Sequence, residues 1–226
     1  MGKFIRYLIF LILIVVNYAG VDKIDSAEPV VLDIYSTVNL NDSGLSRDVF
    51  NLAIKGLSRL ESKGKLHNPN IVTIADYSQS SNNKRLYVID LKNKKLLFNT
   101  YVAHGRNTGE EFATSFSNEN GSHKSSLGFY VTDEPITGSH TGFSLLINGV
   151  EKGFNDNAVK REIIIHSADY ATENFIKRNG RLGRSYGCPV LPPDLNQPII
   201  ETIKGGTCLF IYNPDQKYLL SSSLIN

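Results

Sequence analysis

A chain of 226 residues is long enough to bury one substantial hydrophobic core, and one main domain is the simplest expectation. Hydrophobic residues make up 41% and charged residues 20% of the sequence, as in an ordinary globular protein. The formal net charge of +2 lacks the basic excess of nucleic-acid-binding proteins, so we predict no nucleic-acid partner.

The amino terminus has the pattern of an export signal. Lys3 and Arg6 precede an apolar run over residues 7–16, which has the length of a signal-peptide core and is short for a bilayer span. Cleavage sites ending at Ala19 or Ala27 each have a poor third-from-last residue. Residues 1–27 are therefore predicted to be a signal peptide or an uncleaved membrane anchor. The protein is expected in the periplasm or cell envelope, and an uncleaved segment would attach it to the inner membrane.

A polar spacer is expected over residues 28–45, followed by a helix. Ser46 is suited to cap this helix, and Gly64 is placed to end it. The apolar residues between them recur at helical spacing on one face, which predicts a helix packed across a sheet. These residues are Phe50, Ala53, Ile54, Leu57 and Leu60.

From Asn70 the hydrophobic period becomes that of strands, with a hairpin turn at residues 90–94. Two short helices are expected later, one over residues 172–178 and one over 194–204, where Pro198 is tolerated only in the first turn. The predicted strands cover residues 71–75, 86–89, 95–102, 127–131, 143–147, 162–165 and 207–212.

Many short strands with glycine-rich turns and few helices indicate a mainly β, mainly antiparallel domain. We predict a β-sandwich or partly open barrel with a few peripheral helices, including the amino-terminal one. The domain is assigned to residues 46–213, and residues 214–226 are expected to be a frayed carboxy-terminal tail.

The middle segment, residues 103–142, is polar and contains three of the five histidines, His104, His123 and His140. Such a long irregular stretch in a compact domain is usually functional or disordered. A metal site built from these histidines is a weak hypothesis, since no pair has a recognised ligand spacing. We predict no metal site.

Export makes the cysteine count informative, because exported proteins can form disulfides. The two cysteines are Cys188 and Cys208. Cys208 lies in an apolar run typical of a buried strand, where a free cysteine behaves as a small hydrophobe. Two cysteines are too few for a disulfide framework. Free thiols are therefore favoured over a disulfide.

The strongest chemical signal lies in residues 162–193. A short apolar run ends in His166, and Cys188 follows 22 positions later in a glycine-flanked loop. This is the pattern of a thiol nucleophile with a base, since the reactive thiolate needs a proton acceptor or a positive field. A histidine before the cysteine is not the papain-like order.

Pro189 disfavours a helical conformation at Cys188, so no helix dipole is available to lower the pKa of the thiol. That role is expected for His166 or for the nearby Arg178, Arg181 and Arg184. Peptide N–H groups of Gly187 and Cys188 are placed to stabilise an oxyanion, since glycine allows close approach of a substrate carbonyl.

Several segments resemble one family in the same order. Ile165-His166-Ser167, followed by Ser185-Tyr186-Gly187-Cys188, resembles the histidine-to-cysteine signature of the L,D-transpeptidase catalytic domain, the YkuD-type fold. The chain is most similar to its murein L,D-transpeptidase subgroup. The resemblance runs from about Ser46 to Tyr212. Further matching segments are residues 103–109, 116–118, 121–122, 125–130 and 180–189.

The resemblance implies an L,D-transpeptidase-type fold and an enzyme whose partners are peptidoglycan stem peptides, as donor and acceptor. Cys188 would attack the carbonyl of the third stem residue and release the terminal D-alanine, and an amine of a second stem or a lipoprotein would resolve the acyl-enzyme. His166 would be the base, and Gly187 would contribute the oxyanion hole. No cofactor is implied, because a thiolate and an imidazole suffice for acyl transfer.

The sequence departs from the wider family beside the cysteine. Tyr186 stands where a histidine or arginine is usual, and Val190 stands where an arginine is usual. Arg184 is then a candidate for a stem carboxylate, which guanidinium binds in a bidentate way, or else a solvated loop charge. Our candidates for substrate binding are Arg184, Ser185, Tyr186, His104 and His140.

Alternatives use the same residues differently. With water as acceptor, the dyad would make the protein an L,D-carboxypeptidase or a muropeptide hydrolase. A catalytically idle wall-binding module would keep the fold without the chemistry. A sortase-like enzyme is disfavoured because no sortase-type motif precedes Cys188. A metal-dependent hydrolase has the weakest support.

Overall fold

The computed structural model describes residues 34–226. The predicted signal peptide or anchor over residues 1–27 lies outside the described residues. Within residues 34–226, no helix is both long and apolar enough to cross a membrane.

Eight strands of the described chain form one sheet in the order β3-β2-β1-β8-β4-β5-β6-β7. The strands are β1 (Ile71–Asp76), β2 (Leu86–Asp90), β3 (Lys95–Thr100), β4 (Gly128–Gly138), β5 (Gly142–Gly149), β6 (Ile164–Ser167), β7 (Val190–Leu191) and β8 (Cys208–Tyr212). The helices outside the sheet include α1 (Arg47–Ser62), α2 (Glu173–Asn179), α3 (Pro193–Ile203) and α4 (Gln216–Ser221), with a short 3-10 helix at Asp169–Ala171. Residues 34–37 are also helical.

The two edges of the sheet meet, so the sheet forms a nearly closed barrel. Ala103 follows the edge strand β3 and exchanges two backbone hydrogen bonds with Val190 of the other edge strand, at 2.9 and 3.2 Å. Of the seven strand pairings only β1–β8 and β6–β7 are parallel. The predicted mainly β, mainly antiparallel fold is confirmed, in its partly open barrel form.

Helix α1 forms as its sequence predicts. The Ser46 hydroxyl accepts a hydrogen bond from the Val49 N–H at 3.3 Å, which caps the first turn. The helix ends at Ser62, and Gly64 adopts the left-handed φ of +63° that follows many helices. Phe50, Ala53, Leu57 and Leu60 are buried in the main core.

Gly56 of α1 faces the Phe129 ring, which stacks on Phe210 with centroids 4.2 Å apart. A Cβ at Gly56 would lie 2.0 Å from the Phe129 Cζ. Alanine is usually better than glycine inside a helix by about 1 kcal/mol. We nevertheless expect Gly56→Ala to lower the free energy of unfolding by about 1–3 kcal/mol, because the core is overpacked.

Urea unfolding measures this effect. Ser58→Ala, on the exposed side of the same helix, is the matched control and should leave stability unchanged or raise it. A Gly56→Ala protein as stable as the parent would contradict the packing.

The predicted spacer is too long at its described end. Ile34, Tyr35, Leu40 and Leu45 are all buried in the main core, and the Tyr35 hydroxyl donates to the Leu45 carbonyl at 2.6 Å. From Ile34 onward the segment packs as part of the domain.

The predicted frayed tail is also wrong. Tyr218, Leu224 and Ile225 are buried. The buried Glu151 carboxylate accepts hydrogen bonds from the Tyr218 hydroxyl at 2.9 Å and from the Ser222 hydroxyl. The carboxy-terminal segment is therefore bonded to the domain through a carboxylate far away in sequence.

Two further differences concern local structure. Pro198 was expected in the first turn of helix α3, where no hydrogen bond would be lost. It lies further inside α3, so one backbone hydrogen bond of the helix is missing. Strands β4 and β5 are longer than predicted and form a hairpin that reaches from Gly128 to Gly149. Its tip carries His140 and Thr141.

Candidate active site

The parallel pairing of β6 with β7 brings the predicted histidine and cysteine together. The chain leaves β6, passes through the 3-10 helix and α2, and returns beside it as β7. His166 is in register with Val190, and its N–H lies 3.5 Å from the Pro189 carbonyl oxygen. Cys188 directly precedes Pro189 and Val190 in the chain. Both side chains line one cavity of about 650 Å³.

His166 is half-buried, and one of its ring nitrogens is engaged. Nδ1 lies 3.1 Å from the Ser167 carbonyl oxygen, and a carbonyl can only accept, so Nδ1 carries the proton. Nε2 is then the acceptor atom in the neutral ring. Burial lowers the pKa of His166 below its ordinary 6.5. The ring is therefore neutral at pH 7 and able to take a proton.

Cys188 is a free, half-buried thiol whose Sγ lies 3.8 Å from the Glu162 carbonyl oxygen. Cys208 is also free and is fully buried in β8, so free thiols are confirmed over a disulfide. Burial raises the pKa of Cys188, and the charge of Arg161 opposes that rise. At neutral pH Cys188 is therefore a thiol and His166 a neutral imidazole, and both line the same cavity.

Arg161 is the charged residue that the sequence analysis missed. Its guanidinium donates to the carbonyls of Ser117, at 2.9 Å, and Lys124, at 2.5 Å, and to the hydroxyls of Ser122 and Ser126. Among the described residues it pairs with no carboxylate, so its charge is not neutralised. The Arg161 guanidinium is held in place by residues 117–126, which fold around it. No sequence pattern indicates this contact.

The arginines predicted to lower the pKa of the thiol have other partners. Arg181 and Arg184 each form an ion pair with Glu110 at 2.6 Å. The exposed Arg178 donates to the Asn174 carbonyl within α2. The predicted lowering of the thiol pKa is therefore wrong: burial raises the pKa, and the positive charge that opposes the rise is Arg161.

The pH dependence of Cys188 alkylation tests how burial and the Arg161 charge act on the thiol pKa. Since burial raises the thiol pKa, we expect the iodoacetamide rate in the folded protein to rise with pH through a midpoint above 9.0, the ordinary value. Arg161→Gln should move the midpoint further up, because it removes the opposing charge, and Arg161→Lys should move it less. Mass spectrometry of the alkylated peptide gives the rate.

Arg178→Gln removes a charge that does not face the thiol and is the matched control for alkylation. It should leave the midpoint in place. An Arg161→Gln midpoint at or below that of the parent protein would show that Arg161 does not act on the thiol.

Gly187 does not have the predicted oxyanion role in this arrangement. Its N–H donates to the Ser185 hydroxyl at 3.0 Å, and its carbonyl accepts from the Ser125 hydroxyl at 3.1 Å. Its φ is +128°, and a Cβ there would lie 2.9 Å from the Lys124 carbonyl oxygen. Glycine is thus required for the loop conformation. The N–H of Cys188 has no oxygen partner among residues 34–226.

Ser185 and Tyr186, which are predicted to bind substrate, both line the cavity. The buried Ser185 hydroxyl donates to the Cys188 carbonyl at 2.7 Å, which fixes the loop that carries the thiol. Tyr186 is 65% exposed and packs against His123 with ring centroids 4.5 Å apart. Tyr186 therefore offers an accessible aromatic surface at the mouth of the cavity.

The two histidines predicted to bind substrate do not line the cavity. His104 is 1% exposed; its Nδ1 accepts from Arg85 at 2.8 Å, and its Nε2 donates to the Gly109 carbonyl at 3.2 Å. Burial and the Arg85 charge lower its pKa to about 3. His140 is exposed at the hairpin tip, and its neighbour Thr141 lines the cavity instead. Isolated histidines in a polar segment gave no way to distinguish these surroundings.

The cavity is strongly basic. Arg106, Arg161, Arg181 and Arg184 line it, and Glu162 is the one carboxylate among its described lining residues. Anionic groups will therefore be attracted to the space beside the thiol. Among residues 34–226, no group of three or more His, Cys, Asp or Glu side chains could hold a metal ion.

A half-buried thiol and a neutral imidazole in one basic cavity, on a nearly closed β-barrel, define a candidate thiol acyl-transfer domain. Residues 41–212 match the model of the family described as L,D-transpeptidase catalytic domain. The chain belongs to this family. No protein of curated function matches the sequence.

Solved structures with similar folds include L,D-transpeptidases from two mycobacteria. The Mycobacterium smegmatis enzyme is 11% identical, with 64% of this chain and 59% of that chain covered and a TM-score of 0.40. The Mycobacterium tuberculosis H37Rv enzyme is 14% identical, with 64% and 58% covered and a TM-score of 0.37. A variant of the helical cell shape determining protein Pgp2 from Campylobacter jejuni is 13% identical, with 75% and 57% covered and a TM-score of 0.44. The chain spans less than three fifths of the length of each.

Proposed function

We propose that the protein is a cysteine-dependent L,D-transpeptidase that acts on peptidoglycan stem peptides. The observation that carries the proposal is the shared cavity of Cys188 and a neutral His166, in a chain that belongs to the L,D-transpeptidase catalytic domain family. A free thiol with a base within one cavity is the minimum equipment for covalent acyl transfer.

In the first half-reaction, His166 Nε2 takes the proton of the Cys188 thiol as Sγ attacks the carbonyl carbon of the third stem residue. The Cys188 N–H stabilises the oxyanion that forms. The C–N bond to the terminal D-alanine then breaks, and the departing amine receives the proton from His166. A thioester on Cys188 remains.

In the second half-reaction, the amine of a second stem peptide attacks the thioester carbonyl. His166 accepts the proton of that amine, the C–S bond breaks, and the sulfur recovers a proton from His166. The products are one new amide bond and the resting dyad. Arg161 favours the sulfur's anionic character in both halves, because it places an unneutralised charge near the thiol.

The charge of the cavity suits this substrate. A stem peptide carries several carboxylates, and four arginines line the cavity. Peptidoglycan lies outside the cytoplasmic membrane, so we also propose that the protein is exported to the periplasm or cell envelope. Residues 1–27 would serve as its signal peptide or membrane anchor.

Incubation with purified disaccharide tetrapeptide tests the proposal. Mass spectrometry should detect a cross-linked dimer and free D-alanine. A trimmed tripeptide without dimer would instead identify an L,D-carboxypeptidase that uses the same dyad. No reaction at all would leave only a wall-binding module and refute the proposed activity.

A further inference from the structure

Two arginines that line the active-site cavity are held by one exposed carboxylate. Arg181 Nη2 lies 2.6 Å from Glu110 Oε2, and Arg184 Nη1 lies 2.6 Å from Glu110 Oε1. We propose that Arg181 and Arg184 form a subsite for a carboxylate of the stem peptide, and that Glu110 occupies it when no substrate is bound. This inference rests on the proposed function and adds a binding site to it.

The two guanidinium groups are fixed in place by the backbone. Arg181 donates to the Leu182 carbonyl at 2.7 Å. Arg184 donates to the carbonyls of Arg106 at 3.1 Å and Gly109 at 3.3 Å. Their side chains are only 27% and 24% exposed. The pair is therefore preorganised, with one guanidinium for each oxygen of a single carboxylate, which is the geometry that favours carboxylate recognition.

Glu110 is the mobile partner of the cluster. Its side chain is 69% exposed, so it can rotate into solvent without leaving an unpaired buried charge. The backbone beside it cannot move as easily, because the Gly109 carbonyl also accepts from the buried His104. Exchange of Glu110 for a substrate carboxylate thus requires only a side-chain rotation.

The charge balance leaves room for a second anion. Two positive charges face the single negative charge of Glu110, and the described cavity lining adds Arg106 and Arg161 against Glu162. The Cζ atom of the exposed Arg106 lies 5.8 Å from the centroid of the Tyr186 ring. Arg106 has no carboxylate partner among residues 34–226. An incoming carboxylate therefore finds a net positive cavity even before Glu110 moves aside.

The subsite and the thiol share one rigid loop. Ser185 follows Arg184, and its N–H donates to the His104 carbonyl at 3.0 Å. The Ser185 hydroxyl donates to the Cys188 carbonyl at 2.7 Å. The position of a bound carboxylate relative to Sγ is thus fixed by the loop, so the subsite selects which stem carbonyl reaches the thiol.

Binding of a tetrapeptide stem to the full chain carrying Cys188→Ala, measured by calorimetry, tests the subsite without turnover. Adding Glu110→Gln should tighten binding about threefold, the scale of one exposed ion pair. Adding Arg184→Gln or Arg181→Gln should weaken it about tenfold, because a charge-assisted hydrogen bond to the carboxylate is lost.

Glu119→Gln is the matched control, since Glu119 is an exposed glutamate of the same segment that lines a different cavity. It should leave affinity unchanged. Stems amidated at one carboxylate at a time identify the group that binds: for the correct one, Glu110→Gln should no longer tighten binding.

Unchanged or weakened binding of the Glu110→Gln protein would overturn the subsite, as would a failure of the Cys188→Ala protein to bind the stem. The proposed function is judged separately, by D-alanine release from the unmodified protein. If the unmodified protein releases D-alanine but Glu110→Gln does not tighten stem binding, only the subsite is refuted. Binding with the expected Glu110 effect but no release supports the subsite and refutes the activity.

Discussion

Cys188→Ala should abolish release of D-alanine from a tetrapeptide stem. Without Sγ no thioester can form, and nothing else among the described cavity residues can replace a thiol nucleophile. Loss of a nucleophile in a covalent mechanism reduces turnover by about 10⁴-fold or more. Chromatographic assay of D-alanine measures the loss, and thermal unfolding of the variant confirms that the fold is kept.

Cys208→Ala is the matched control for the nucleophile. Cys208 is fully buried in β8 and pairs with Val72 of β1 and Val131 of β4. Its removal leaves only a small packing defect, so activity per folded molecule should stay at the parent level. Turnover retained by Cys188→Ala, or lost in Cys208→Ala alone, would contradict the assignment of the nucleophile.

His166→Gln should lower kcat/KM about 10²- to 10⁴-fold, the usual contribution of a general base. The amide keeps the approximate size of the ring but cannot carry a proton. In the parent protein, kcat/KM should fall as the pH drops below 6.5, because protonation removes the base and burial holds the His166 pKa below 6.5. A pH series of D-alanine release measures both effects.

The exposed His140 provides the control for this second experiment. His140→Gln should leave both the rate and its acid limb unchanged, since His140 is outside the cavity lining. Persistence of the same acid limb in the His166→Gln protein would assign it to another group and remove His166 from the role of base.

The two residues of the candidate active site could be singled out from the sequence because their signals are local. His166 ends a short apolar strand, Cys188 sits in a loop that needs glycine at Gly187, and both patterns are readable over a few residues. Seven of the eight described strands and helix α1 were predicted for the same reason, whereas the two-residue strand β7 was not predicted. Closure of the barrel was not predicted, because it depends on Ala103 and Val190, which are distant in sequence.

The surroundings of the pair could not be predicted, since they depend on contacts between distant segments. Arg161 gains its position from a loop some forty residues earlier in the chain, through the Ser117 carbonyl. Glu110 meets Arg184 only because the chain returns to the same cavity. His104 was predicted to bind substrate but is buried and does not line that cavity. Burial and ion pairing at these sites are properties of the fold.

Covalent capture of the stem peptide tests the central claim most directly. The protein is mixed with tetrapeptide stem, quenched in acid within the first turnovers, and analysed by intact mass and peptide mapping. We expect an adduct equal to the stem minus D-alanine, located on Cys188 and absent from the Cys188→Ala protein. Release of D-alanine with no adduct on Cys188, or with the adduct on another residue, would contradict the mechanism.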